Sequence, residues 1–252
     1  MKNEQLIQDE EYDFPYHYIP KFRENFSQTY NWVWGRNYIS AIEFILNEIK
    51  KDSKKIKSIV DVGCGDGRLT KELSIEFEDK YIAGYDYSNK AINIAKALNP
   101  NLRFKQTDII SDSIKEKFDA ISLVEVFEHI PLESCEGFVN GLVNLLNEKG
   151  VVFLTVPHKN KQVSEKHFQH FDYNSLSTYF GDYFVIEEVV HFDRLTKWSV
   201  LLNFILVNKL FILNNRFLNS LMFNLYKKYF FFTNERKCGR IYLKLVKKHK
   251  DS

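Results

Sequence analysis

Three observations predict an α/β fold with a doubly wound, mostly parallel sheet. Short apolar runs alternate with stretches of helical period between residues 58 and 156, and strands separated by helices pair in parallel under helices on both faces. The stretch SIVDVGCGDGRLT, Ser58 to Thr70, runs from an apolar strand (Ile59, Val60, Val62) through Gly63, Gly65 and Gly67 into a helix beginning near Arg68. Glycine serves where the backbone takes positive φ or lies against a ligand, and free N–H groups at a helix start favour a polar partner. Finally, Asp86, Asp108 and Glu125 follow the next three strands, and ligands of such sheets bind at the carboxyl ends of the strands.

The elements follow in order. Residues 1–30 form an N-terminal arm in which Tyr12, Phe14, Tyr16, His17, Tyr18 and Phe22 surround Pro15 and Pro20, which reads as an extended, proline-punctuated segment. Its rings either pack on the domain or form a flap whose Tyr16, His17 and Tyr18 contact a ligand. From about Phe26 to Lys50, Trp34, Tyr38, Ile42, Ile45, Leu46 and Ile49 recur at helical spacing. Beyond the glycine turn come a helix to Phe77, a strand (Tyr81 to Tyr85), a helix (Ser88 to Leu98) and a strand (Leu102 to Gln106). A strand (Phe118 to Val124), a helix (Leu132 to Leu146), a strand after the Lys149-Gly150 turn (to Val156) and a strand (Tyr183 to His191) complete the series.

Residues 195–234 then intervene as a helical insertion before the last strand, Gly239 to Val246. The insertion holds no acid, while Arg194, Lys197, Lys209, Arg216, Lys227 and Lys228 are basic. Its longest uncharged stretch, Trp198 to Asn208, is too short to span a bilayer, which favours two helices, near Thr196 to Leu213 and Arg216 to Phe231. Such a cationic, apolar insertion suits a lid over an acceptor pocket, a homodimer contact or a peripheral membrane patch.

Composition bounds the partners. A chain of 252 residues with 44% apolar and 27% charged residues fits one soluble domain, residues 1–252, and a net charge of +2 predicts no general affinity for nucleic acid. The first thirty residues carry six acids and no apolar signal region. Cys64, Cys135 and Cys238 form no CxxC and no Cys/His ligand spacing, so a reducing, cytoplasmic setting and no structural zinc are expected.

An acid about twenty residues past a glycine turn is placed to accept from the two hydroxyls of a ribose. Singly, Asp86, Asp108 or Glu125 could be a helix cap or turn residue; together with the glycine turn they point to an adenosine-type ligand. The order Asp61-Val62-Gly63-Cys64-Gly65-Asp66-Gly67 departs from the G-x-G-x-x-G of nicotinamide binders, and Asp61 would repel a pyrophosphate. It resembles instead the E/D-x-G-x-G-x-G signature of the class I S-adenosylmethionine-dependent methyltransferases, over roughly residues 40–192 plus the last strand. The resemblance implies a Rossmann-like, seven-stranded sheet. It implies that Asp61, Gly63, Cys64 and Gly65 hold the methionine moiety of S-adenosylmethionine, Asp86 with Tyr87 the ribose, and Asp108 with Ile109 the adenine, with Glu125 closing the cofactor set.

Glu125-Val126-Phe127-Glu128-His129 is similar to the ExxEH stretch of ubiquinone-biosynthesis O-methyltransferases and small-RNA 2′-O-methyltransferases. In those groups two glutamates, the histidine and a later histidine can bind a divalent cation. That implies Glu125, Glu128, His129 and His170 as ligands for Mg²⁺ or Mn²⁺, ions suited to oxygen donors with imidazole. Alternatively His129 is a base, with Glu128 beside it, or a packing residue. His158 and His167 are further candidates for acceptor contact. The YDFPYHYIP start looks like that of methyltransferases from capsule and surface-polysaccharide clusters, including those making O-methyl phosphoramidates. The expected activity is O-methylation of a small, anionic molecule or glycan precursor such as a phosphoramidate or sugar nucleotide. A quinone-type phenol or lipid acceptor and a noncatalytic cofactor-binding adapter are the alternatives.

Overall fold

The run Ser58–Val62 becomes strand β1, followed by β2 (Tyr81–Asp86), β3 (Arg103–Gln106), β4 (Phe118–Val124), β5 (Leu146–Pro157), β6 (Phe184–Arg194) and β7 (Cys238–Lys247). The structure is a computed structural model and describes residues 33–198 and 216–248, with residues 7, 12, 15–18 and 201. The strands form one seven-stranded sheet in the order β3-β2-β1-β4-β5-β7-β6. Pairing is parallel from β3 through β5, and β7 runs antiparallel between β5 and β6. Strand order reverses between β1 and β4, the place where a crevice opens in doubly wound sheets.

Helices α1 (Val33–Asp52), α2 (Arg68–Glu76), α3 (Asn89–Leu98), α4 (Cys135–Leu145), α5 (Tyr173–Phe180) and α6 (Arg216–Tyr226) cover the sheet. The alternation of strand side chains divides the core in two. Val152, Leu154 and Val156 of β5 join Ile241, Leu243 and Leu245 of β7 beneath α4 and α5. Val151 and Phe153 join Tyr242 beneath α1, α2 and α6. Because both faces are covered, the central strands are continuous apolar runs rather than alternating ones.

Most boundaries match the sequence reading within a residue or two. The Lys149-Gly150 turn is absorbed into β5, which begins at Leu146 opposite Phe118, with an irregularity in register before Ala120. Ahead of α4, Leu132–Ser134 is a 3-10 turn. The arm departs from the extended form at Tyr16–Tyr18, a 3-10 turn closed by Tyr18 N–H donating to the Pro15 carbonyl at 3.1 Å; proline opens such turns because its φ is already fixed. The expected helix near Thr196 to Leu213 lies largely outside the described residues. Its partner is present as α6, continued by a π-helical turn, Lys227–Phe231. α6 buries Phe223 and Tyr226 and lays Tyr226 under Arg36 at 4.1 Å, and the π-helical turn pairs Lys227 with Glu43, so both dock on α1. No helix among the described residues is long and apolar enough to cross a membrane.

Candidate active site

The glycine turn wraps the end of β2. Gly63 and Cys64 donate N–H to the Tyr85 carbonyl at 2.8 and 3.0 Å, and Gly65 donates to Asp86 Oδ2 at 2.9 Å. Asp86 Oδ1 accepts from Ser88 N–H at 2.9 Å, at the start of α3. One carboxylate thus sets both the turn and the next helix. Gly65 has φ +55°, and a Cβ there would lie 2.6 Å from Tyr12 Oη. Both facts demand glycine. Below the turn, Asp61 is buried and Oδ2 accepts from Thr70 Oγ1 at 2.8 Å. Burial first, and Asp86 next, push its carboxyl up to about 7, a strain that a cationic ligand relieves.

Two cavities meet here. The first, of about 360 Å³, is lined by Gly63, Asp86, Tyr87, Asp108, Ile109 and Glu125 among others. The Asp108 carboxylate accepts from Ile110 N–H and Ser111 Oγ, each at 3.0 Å, which fixes the turn carrying Ile109 to the cavity wall. The second, of about 270 Å³, is lined by Asp61, Cys64, Gly65, Glu128, His167 and Lys161, with His17, His170 and Arg240 further round. Tyr12, Gly63, Glu125 and His129 line both. The boundary between the cavities is therefore a wall of four residues.

Glu125 adopts φ +56°, the left-handed region, without being glycine. Its N–H donates to the Thr155 carbonyl at 2.9 Å, Oε1 accepts from Thr155 Oγ1 at 3.1 Å, and Oε2 lies 3.2 Å from Arg240 Nε. Asp193, also left-handed at φ +59°, reaches the same nitrogen at 3.3 Å. Strained backbone of this kind persists only where surroundings hold it. It turns the chain back at the end of β4, and the 3-10 turn Phe127–His129 then brings Glu128 and His129 over the second cavity.

Glu128 is fully buried, and neither carboxylate oxygen has a hydrogen-bond partner. Burial, then Glu125, push its carboxyl well above the usual range. The histidines around it have defined tautomers, because a carbonyl can only accept. His129 Nδ1 meets the Lys166 carbonyl at 2.9 Å and His170 Nδ1 meets the Lys161 carbonyl at 3.0 Å, so both carry hydrogen at Nδ1. His170 Nε2 is then bare and accepts from His167 Nδ1 at 2.8 Å. Neutral His129 and His167 therefore carry no hydrogen at Nε2. Burial, then His129 and His170, hold His167 down to about 3, so it is neutral at ordinary pH.

The ligand atoms of Glu128, His129 and His167 lie within 4.8 Å of one another. This grouping differs from the expected ligand set Glu125, Glu128, His129 and His170. Glu125 is turned to Arg240 and Thr155, because its left-handed backbone breaks the helical i, i+3 spacing on which convergence with Glu128 depended. His170 stands one hydrogen bond behind His167. His158 lines neither cavity and sits beside His191 and Cys238 instead. Tyr18 also lines neither; its hydroxyl accepts from Asn99 Nδ2 at 2.6 Å, and burial pushes it up to about 12. His17 lines the second cavity with Nδ1 3.0 Å from Asp66 Oδ2, whereas the side chain of Tyr16 lies outside the described residues. Sequence reasoning passed over Tyr12, Lys161 and Arg240. Only the aromatic arm gave a signal for any of them, since the two cations come from a loop and a strand with no motif.

Residues 34–202 match the family described as methyltransferase domain. The chain belongs to that family. Among relatives, this methyltransferase-family chain is 33% identical over 129 residues to a malonyl-[acyl-carrier protein] O-methyltransferase of Acetivibrio thermocellus, covering 50% of this chain and 44% of that one. It is 26% identical over 110 residues to a ubiquinone biosynthesis O-methyltransferase of Dechloromonas aromatica, covering 41% and 46%. The matches thus span less than half the length of those relatives. In fold, it superposes on magnesium protoporphyrin IX methyltransferase of Synechocystis PCC 6803, a structure with bound S-adenosylhomocysteine, with TM-score 0.56 and 14% identity over 85% of each chain. The seven-stranded sheet is the class I methyltransferase fold.

Proposed function

We propose that this protein is an S-adenosylmethionine-dependent O-methyltransferase, with cofactor in the glycine-turn cavity and a small acceptor in the histidine cavity. The observation that carries the reading is the shared wall: Gly63, Glu125 and His129 line both cavities, so a donor in one and an acceptor in the other meet beside the His129 ring. Asp61, on the wall of the second cavity, receives the ammonium of the cofactor, whose methionine end thus reaches past the shared wall, while Asp86, on the first, receives the ribose hydroxyls. The turn at Asp108 and Ile109 borders the adenine. Methyl transfer is an in-line displacement, to which the walls contribute alignment and His129 contributes removal of the acceptor proton.

A divalent cation fits the second cavity. Glu128 offers an orphaned, buried carboxylate, and the Lys166 carbonyl and His170 fix the Nδ1 hydrogens of His129 and His167, the outer support that metal-binding histidines use. In that alternative to His129 acting as the base, Glu128, His129 and His167 would hold the ion, and Mg²⁺ or Mn²⁺ there would lower the pKa of an acceptor hydroxyl. Lys161, Lys166 and Arg240 on the same wall support an anionic acceptor, such as a phosphorylated or glycan-precursor molecule. The ubiquinone-biosynthesis relatives support a phenolic acceptor as the second reading. Three free cysteines support a reducing compartment such as the cytoplasm.

Calorimetry with S-adenosylhomocysteine and methyl transfer to phosphorylated, sugar-nucleotide and phenolic acceptors test the proposal. His129→Ala should keep product affinity within a few-fold while turnover falls by roughly 10²–10⁴. Failure of the wild type to bind the cofactor product would sink the reading, and binding without turnover on any acceptor would favour an adapter.

A further inference from the structure

Near the ends of β5, β6 and β7, three residues come together that the catalytic proposal leaves unused. His158 is 4% exposed and Cys238 fully buried, and His191 stands against His158 with ring centroids 6.1 Å apart. One ligand atom from each lies within 4.8 Å of the others. The Nε2 atoms of both histidines are buried without a hydrogen-bond partner, and Glu235 Oε1 lies 3.9 Å from His158 Nε2. Two buried imidazole nitrogens without partners, on rings grouped with a thiol, are destabilising unless a ligand satisfies them.

We propose that His158, His191 and Cys238 form a second metal site for a borderline divalent cation of the zinc type, with Glu235 closing the fourth position. Two imidazoles, a thiolate and a carboxylate are the donors that tetrahedral zinc takes, whereas Glu128, His129 and His167 offer no sulfur. The ligands need only contract toward one centre, and Glu235 is a half-exposed side chain free to swing in. On binding, the Cys238 thiol loses its proton to solvent and gives up its bond to the Glu235 carbonyl, now at 3.1 Å. Asn160 Nδ2, 3.7 Å from the sulfur, remains as a donor to the thiolate. His158 Nδ1 accepts from Asn160 N–H at 3.1 Å, so ligation through Nε2 moves the ring proton to Nδ1 and releases that amide. Asn160 sits in an exposed turn, where water replaces the lost partner.

The site has a structural consequence. Arg194 pairs with Cys238 across β6 and β7, and Leu195 N–H donates to the Lys237 carbonyl at 2.7 Å. This is the neck at which the insertion leaves the sheet and returns. A cation there ties both ends of the insertion to β5, and it lies two residues along β7 from Arg240, which holds Glu125 and Asp193.

Cobalt titration of the full chain tests the site, read by the thiolate-to-cobalt charge-transfer absorption that only a sulfur ligand gives. The wild type should develop the band at one equivalent and lose it to competing zinc. Cys238→Ser should abolish the band, His158→Gln and His191→Gln should weaken cobalt binding by ~100-fold or more, and Glu128→Gln should leave the band intact. Absence of the band in the wild type overturns the proposal, as does a band that survives Cys238→Ser and so belongs to Cys64 or Cys135. Metal-free circular dichroism checks each fold; if Cys238→Ser is unfolded, His191→Gln decides, and an undiminished band there overturns the site.

Discussion

His167 Nδ1 lies 2.8 Å from His170 Nε2, and this contact sets which nitrogen of His167 faces the second cavity. His170 can accept only because its own Nδ1 hydrogen is committed to the Lys161 carbonyl. His170 is a positioning residue in this arrangement. His170→Asn should weaken Mn²⁺ binding, measured by calorimetry, by roughly 10–100-fold, with S-adenosylhomocysteine affinity unchanged. Equal loss of both affinities would mean that the substitution merely damages the fold.

Asp61 gives a pH dependence. Its carboxyl is raised from 3.8 to about 7 in the folded protein, so the folded state holds a proton that the unfolded state releases, and the ligand-free protein loses stability as pH rises from about 4 to about 7. An ammonium ligand prefers the ionised form. Cofactor-product affinity should therefore climb by up to roughly tenfold per pH unit below 7 and level off above it. Asp61→Asn should bind more weakly and show a flat profile, and a flat profile in the wild type would refute the assignment.

Glu128 opposes stability and function. As an unpartnered buried carboxyl held above its usual pKa, it costs folding free energy once pH exceeds the unfolded value. Glu128→Gln should raise the melting temperature of the metal-free protein at pH 8 by roughly 3 °C. The same variant should lose Mn²⁺ binding. If the cation takes part in turnover, chelation inactivates the wild type and Mn²⁺ restores it; activity untouched by chelation assigns proton removal to His129 alone.

Gly65→Ala places a Cβ 2.6 Å from Tyr12 Oη at φ +55°. The variant should lose about 1–2 kcal/mol of stability in denaturant titration and bind S-adenosylhomocysteine more weakly. Adding Tyr12→Phe removes the oxygen but leaves the backbone strain, so recovery should be partial. Full recovery would place the whole effect on the Tyr12 contact.

The sheet, the glycine turn and the acids at strand ends are all written in short stretches of the chain. Those features are local: an apolar run flanked by glycines has few ways to fold, and strand alternation fixes which side chains point to each core. Asp61, Asp86 and the ExxEH stretch were legible for the same reason. Contacts between residues distant along the chain settle the rest. Whether Glu125 faces a cation or Arg240 turns on a left-handed residue pinned by Thr155 and by β7, which no spacing encodes. The partnership of His167 with His170 follows from the Lys161 carbonyl, fixed by a loop. The gathering of His158, His191 and Cys238 needs β7 to run antiparallel between β5 and β6. Spacing along the chain excluded a zinc-type site there, because three-dimensional proximity across a sheet leaves no periodic trace in sequence.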